Sequence, residues 1–357
     1  VSENIEKKVR KPSKLEQFNA LSPADKKRAV ADGLLNNAMF IIIALTVVYI
    51  AIREPRFLSV ASIINIVNLT AAKLPIALGV GGCIILAGTD ISAGRVVGLA
   101  ACISAGLQLT ANKLFPGMGV MPVWVALCAV IAVGAAIGFV NGFCMAKFKL
   151  HPFIVTLSTQ LIVYGLILLF MQLGTNGGQT LSGMSPAYKN FITATAFKVG
   201  PTAVPMYVIY VVIITAIVWV IWNKTAFGKN MYAVGSNEDC ANVSGVNVVK
   251  TIIMVFIMAG ILYALTGFID AARIASVNAT TGLNYESDAI AACVIGGISF
   301  VGGIGKVSGA IIGVLLLQVI FVGLNFLSVD ANYLYIVKGL IILIACSIDM
   351  RKYLVRK

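Results

Sequence analysis

MPVWVALCAVIAVGAAIGFVNGFCMA, residues 121–146, carries no charged side chain and no proline beyond Pro122. At ~1.5 Å per helical residue such a run exceeds the ~30 Å hydrocarbon thickness of a bilayer. Its apolar residues are continuous rather than alternating, which fits a membrane helix and not a barrel strand. Gly134, Gly138 and Gly142 recur every fourth residue within it. That spacing gives the helix a flat face on which a neighbour can approach closely.

Working outward, further apolar runs occupy 37–52, 58–88, 93–112, 152–173, 203–222, 251–269, 287–301, 307–327 and 333–348. The expectation is an all-α polytopic membrane protein with about ten transmembrane helices. The run at 58–88 holds Lys73, Pro75, Gly79, Gly81 and Gly82, so it is expected to be a single span broken near Pro75. Composition agrees: 59% of the 357 residues are hydrophobic and 11% charged. Soluble domains have ~45–50% apolar and ~25% charged residues, so a globular soluble enzyme is excluded, as is a disordered chain.

The formal net charge is +13, and its distribution argues against nucleic acid. Eight of the 27 basic residues lie within residues 1–36, and Arg351, Lys352, Arg356 and Lys357 close the sequence. By the positive-inside rule both ends are expected in the cytoplasm. The organisation that follows is a basic tail (1–36), a transmembrane domain (37–350) and a short basic tail (351–357). The first tail is too long and polar before its first apolar run to read as a cleavable signal. Trp219, Trp222, Asn223 and Lys224 close one span with an aromatic and basic interface signature. The seven cysteines form no CxxC pair, and nothing in the sequence asks for a metal or a cofactor.

Ionisable residues within spans are costly and therefore informative. Lys73, Asp90, Arg95, Asp270, Arg273, Glu286, Asp288 and Lys338 are few and fall near span ends or breaks. That scarcity weighs against an ion-coupled carrier. No HExxH, GxSxG, GxGxxG or Walker-type motif is present, so energy for active transport would come from another polypeptide. Asp90, with Thr89 and Ser92, can be read as capping a helix that begins near Ala93, with Arg95 as a charge partner. Glu286 and Asp288 read as first-turn acids on a helix beginning near Tyr285. Two pentads, Gly94-Arg95-Val96-Val97-Gly98 and Gly305-Lys306-Val307-Ser308-Gly309, hint at an internal repeat.

The most informative segment is 223–250, NKTAFGKNMYAVGSNEDCANVSGVNVVK. It is far longer than a loop between spans requires. Gly228, Gly235 and Gly245 flank a helix-capable piece, Glu238 to Val243, which Asn237 can cap while Glu238 and Asp239 favour its N-terminus. A short exposed helix of this kind suits the engagement of a soluble partner.

Read together, LLNN (34–37), AGTDISAGRVVGLAA (87–101), IGFVNGFCMAKFKLHPFIVTLSTQLIVYG (137–165), WNKTAFGKNMYAVGSNEDCANVSGVNV (222–248), YESDAIAACVIGGISFVGGIGKVSGA (285–310) and YIVKGLIILIACSIDMRKY (335–353) resemble the bacterial sugar ABC-importer permeases of the ribose, arabinose and galactoside group. GTDISAGR and YESDAIAACVIGGISF are most similar to the galactose/methyl-galactoside branch. The resemblance implies the permease fold, a homodimer in the bacterial inner membrane, an ABC ATPase subunit and an extracytoplasmic sugar-binding protein. It also implies that Lys224, Gly228, Lys229, Gly235, Asn237, Glu238, Ala241, Ser244 and Gly245 belong to the segment that couples to the ATPase. Ser236 departs from the family's usual second glycine, and Glu238-Asp239-Cys240 from its commoner proline-acid-alanine run.

The chain itself is expected to catalyse no covalent step. Candidates for the sugar pathway are Asn65, Asn68, Thr89, Asp90, Gln160 and Asn325, since polar side chains within spans can meet cargo or bridge helices. Two alternatives stay open on the sequence: a self-contained secondary carrier or channel, and an ABC permease for a nucleoside or branched-chain amino acid.

Overall fold

The computed structural model describes Lys26, residues 38–111, 114–115, 117, 119–174 and 176–354. The expected basic tail at 1–36 therefore lies outside the described residues, apart from Lys26. Two compact units divide after Leu45. The first contributes the beginning of helix α1 (Ala38–Arg53), and the second, Thr46–Lys357, contains everything that follows.

Thirteen α-helices are described: α1, α2 (Val60–Ile85), α3 (Ala93–Gln108), α4 (Val123–Phe148), α5 (Pro152–Met171), α6 (Pro186–Thr193), α7 (Met206–Lys224), α8 (Ala226–Ser236), α9 (Glu238–Val243), α10 (Val248–Ile274), α11 (Tyr285–Ile295), α12 (Val307–Phe326) and α13 (Ala331–Leu354). The strands are short: β1 (Leu181–Ser182) pairs with β4 (Ser276–Val277), and β2 (Thr195–Val199) with β3 (Thr202–Pro205). Among the described residues six helices, α2, α4, α5, α7, α10 and α12, are long and apolar enough to cross a membrane. Shorter apolar stretches occur at Ile43–Arg53, Ala93–Gln108 and Asn332–Ile344.

Among the described residues six membrane-length helices support a polytopic α-helical permease, and the expected count of ten is not reached by helices of that length. The run at 287–301 stops as a helix at Ile295, and α11, at ~1.5 Å per residue, is about half a bilayer long. A left-handed turn at Gly297 (φ +82°) ends it. The basic residues expected in a closing tail begin inside α13, which runs to Leu354.

The break expected near Pro75 is also absent, because α2 is one continuous helix from Val60 to Ile85. Pro75 cannot donate to the Ala71 carbonyl, yet residues 70–85 are buried apart from Lys73. A freed carbonyl inside protein does not meet hydrocarbon, so the helix survives where lipid would have forbidden the defect.

Helix α10 is the central post, packed against α2, α3 and α4. The glycine stripe explains its contact with α4. A Cβ at Gly134 would collide with Gly260, and one at Gly138 with the Phe256 backbone. Gly309 and Gly313 serve the same purpose on α12, where they meet Gly296 and Ala292. Both stripes are consumed inside the fold. Trp222, expected at an interface, is instead fully buried beside Gly81 and Gly82, while Trp219 stays exposed beneath Lys224.

Candidate functional site

The segment 223–250 folds as two helices between α7 and α10. At the α7–α8 bend the Thr225 hydroxyl accepts from the Gly228 N–H at 3.1 Å, and a Cβ at Gly228 would strike the Ile221 and Trp222 carbonyls. Only glycine lets the chain fold back so tightly. Helix α9 spans the six residues expected of it, with the Asn237 side chain accepting from the Cys240 N–H at 2.8 Å and Glu238 and Asp239 in the first turn. Gly245 has φ +83°, a left-handed value that turns the chain toward α10.

Helix α9 is anchored by one residue and open elsewhere. Ala241 is buried with Val234 and Val248, whereas Glu238, Asp239, Asn242 and Ser244 are exposed and Val243 is 90% exposed. Lys149, just past α4, pairs with Glu238. A groove of about 480 Å³ runs between α9 and the start of α10, lined by Lys149, Glu238, Asp239, Asn242 and Asn247. Lys224 and Lys229 are exposed along the same segment.

The end of α8 is wedged between the turn that closes α2 and the loop at Gly302–Gly303, which follows a second turn built like the first. Helix α2 ends with Gly88 N–H donating to the Cys83 carbonyl and Ala87 N–H to that of Ile84; α11 ends with Ile298 donating to Cys293 and Gly297 to Val294. Each is the paired 6→1 and 5→2 closure of a helix by a left-handed residue, Ala87 at φ +57° and Gly297 at φ +82°. The shared geometry adds to the pentad similarity in the helices that follow, α3 and α12. The loop after the second turn meets the first helix directly, through a Gly303 N–H to Ile85 carbonyl bond of 2.8 Å. Gly235 lies against this bond, such that a Cβ there would collide with the Ile85 carbonyl and sit 3.0 Å from the Gly303 nitrogen. Tyr232 of α8 adds a hydroxyl bond of 3.0 Å to the Gly305 carbonyl.

Above the first turn a buried polar chain ties three helices. Asp90 accepts from the Ser92 N–H and hydroxyl at 2.9 and 2.6 Å, Asn141 donates to the Ser92 hydroxyl at 3.1 Å, and Thr159 donates to Asn141 at 2.6 Å. Thr89 takes part through its carbonyl, which accepts from Thr156. Ser92 occupies the cap position of α3 without a side-chain cap bond, so Asp90 organises the turn rather than the helix. Arg95 turns away to the Ala279 carbonyl and the Tyr164 ring and is not a hydrogen-bonded partner of Asp90. Glu286 and Asp288 do lie in the first turn of α11.

The four amides considered for a pathway do not converge. Asn65 and Asn68 lie on α2, Gln160 on α5 and Asn325 near the end of α12, with Asn65 and Asn325 exposed. Among the described residues no hydrogen bond joins any two of them. Charged residues converge instead: Lys73, Asp270 and Arg273 form one ion-paired group, and Asp288 and Lys338 a second. Sequence reading named each of these charges and had no signal for their meeting.

Residues 62–346 match the model of the family described as branched-chain amino acid transport system / permease component. The chain belongs to this family of permeases. It is 42% identical over 329 residues to the galactose/methyl galactoside import permease protein of Haemophilus influenzae, covering 91% of this chain and 97% of that one. The Escherichia coli protein of the same description is 40% identical over 334 residues, 93% and 98% of the two chains. The ribose import permease protein of Bacillus subtilis is 35% identical over 329 residues, 92% and 97%. No solved structure matches. A multi-pass sugar ABC permease accounts for the membrane-length apolar helices.

Proposed function

We propose that this chain is the membrane subunit of an ATP-driven importer that moves a monosaccharide, galactose or a methyl galactoside, delivered by an extracytoplasmic binding protein. Greater identity to the galactose/methyl galactoside permeases than to the ribose permease supports that cargo. Two copies flank the pathway, and an ABC ATPase subunit docks beneath them. Both termini and the segment 223–250 face the cytoplasm, a reading supported by the basic residues at the ends and by Lys147, Lys149, Lys224 and Lys229.

The observation that carries the proposal is the seating of α9. It offers exposed Glu238, Asp239, Asn242 and Val243 to solvent, while the adjoining end of α8 rests on the Ile85–Gly303 bond between the end of α2 and the loop that follows α11. ATP binding in the ATPase draws the two copies of α9 together, and α8 passes that displacement to α2 and α11. The side of the membrane to which the pathway opens then changes. Asp90, Thr89 and the amides at 65, 68, 160 and 325 stay in this scheme as polar contacts of helix packing or of passing cargo.

The experiment is to reconstitute the chain with its ATPase and binding protein and to replace Val243 with Asp. Binding-protein-stimulated ATP hydrolysis is expected to fall severalfold with the permease still folded. Unchanged stimulation would count against docking at α9.

A further inference from the structure

Six side chains remote in sequence meet within the helix bundle. Lys73 lies at the middle of α2, so its charge is far from both ends of a membrane-length helix. Its Nζ is 3.4 Å from Asp270 Oδ2 on α10 and 2.8 Å from the centroid of the Tyr285 ring at the start of α11. Arg273, one turn beyond Asp270, binds the other carboxylate oxygen at 2.9 Å. On the same face of α11, one turn past Tyr285, Asp288 pairs with Lys338 of α13 at 2.9 Å.

Asp270 is completely buried, but Lys73, Arg273, Asp288 and Lys338 keep 17–22% of their side-chain surface open. Charges at this position do not face hydrocarbon, because in membrane proteins they turn to a partner or to a water-filled cavity. The open edge is therefore a polar edge, lined by paired charges. It offers hydroxyl acceptors on Asp288, donors on Lys73, Arg273 and Lys338, and the apolar face of an aromatic ring. Three cations against two carboxylates leave a small net charge, which suits a neutral ligand rich in hydroxyls better than an ion. Each charge already has a partner, so a hydroxyl must compete with an ion pair, and the ligand is held weakly.

We propose that this edge, formed by Lys73, Arg273, Tyr285, Asp288 and Lys338 around Asp270, is a transit site for polyhydroxylated cargo. It rests on the reading of the chain as a sugar permease and adds the residues that the cargo meets. A purely structural role makes a different prediction from a transit role. Replacing both members of an ion pair by uncharged residues of like shape leaves no unpaired buried charge and is commonly tolerated.

The test is the double variant Asp288→Asn with Lys338→Met in the complete transporter. Assembly with the ATPase is expected to persist while galactose uptake falls about tenfold. Assembly with uptake unchanged would overturn the proposal. Hydroxyl-radical footprinting of the unmodified, assembled transporter in a bilayer provides an arm that needs no variant. Tyr285 is expected to be oxidised by water-borne radicals and protected at least twofold during turnover with galactose-loaded binding protein; no oxidation of Tyr285 would overturn the site. If the unmodified transporter imports no sugar with both partner proteins present, the sugar-permease reading fails, which is a separate outcome from failure of this site.

Discussion

Replacing Gly235 with alanine is the sharpest probe of the joint beneath α9. The added methyl is small and would ordinarily favour a helix by roughly 1 kcal/mol. Here its Cβ would be driven into the Ile85 carbonyl and lie 3.0 Å from the Gly303 nitrogen, both of them backbone atoms that no rotamer change can move aside. Overpacking costs about 1–3 kcal/mol, and parting Gly303 from Ile85 costs roughly another 0.5–1.5 kcal/mol. The terms leave a net loss of about 0.5–3.5 kcal/mol, concentrated where α8 meets the end of α2 and the loop that follows α11. In detergent the variant should unfold at a lower temperature, and in proteoliposomes its binding-protein-stimulated ATP hydrolysis should drop by more than its unstimulated rate. Gly245→Ala is the contrast: φ there is +83° but nothing lies within 4 Å of an added Cβ. It should cost about 1 kcal/mol of backbone strain and leave the joint alone. Equal effects of the two substitutions on unfolding and on stimulation would refute the reasoning.

Asn237→Ala removes the cap of α9 and should cost about 1 kcal/mol locally, read as faster amide exchange at Asp239 and Cys240. Lys149→Ala should change stability by no more than about 1 kcal/mol, since the Lys149–Glu238 pair is solvent-exposed, as measured by thermal unfolding at low and high salt. Asn141→Leu leaves the buried Thr159 hydroxyl without its acceptor and takes a donor from Ser92, whose hydroxyl keeps its bond to Asp90, and should cost about 1–3 kcal/mol by the same measurement. Gly138→Leu would wedge α4 from Phe256 of α10 and should abolish the folded, monodisperse protein in size-exclusion chromatography.

What the sequence reveals best is what local rules govern. The four-residue glycine spacing at 134, 138 and 142 announces a close helix contact, and α10 supplies it through Gly260 and Phe256. Asn237 followed by two acids announces a capped helix, and α9 is that helix. Local rules mislead where surroundings decide. Pro75 reads as a break until its neighbours prove to be protein, and Trp222 reads as an interface residue until Gly81 and Gly82 make room for its ring. The charged cluster was beyond local rules altogether, because Lys73, Asp270 and Lys338 lie on three helices whose proximity no short-range pattern encodes. The joint of α8 was half visible. The glycines could be seen, but the Gly303–Ile85 bond that requires one at 235 joins residues more than two hundred positions apart.

The central claim is that this chain is a conduit powered by another polypeptide. Galactose uptake should be measured in proteoliposomes holding the chain alone and then the chain with its ATPase, binding protein and ATP. The account predicts uptake only in the second case, insensitive to ionophores. Uptake by the chain alone that collapses when an ionophore dissipates the ion gradient would contradict it.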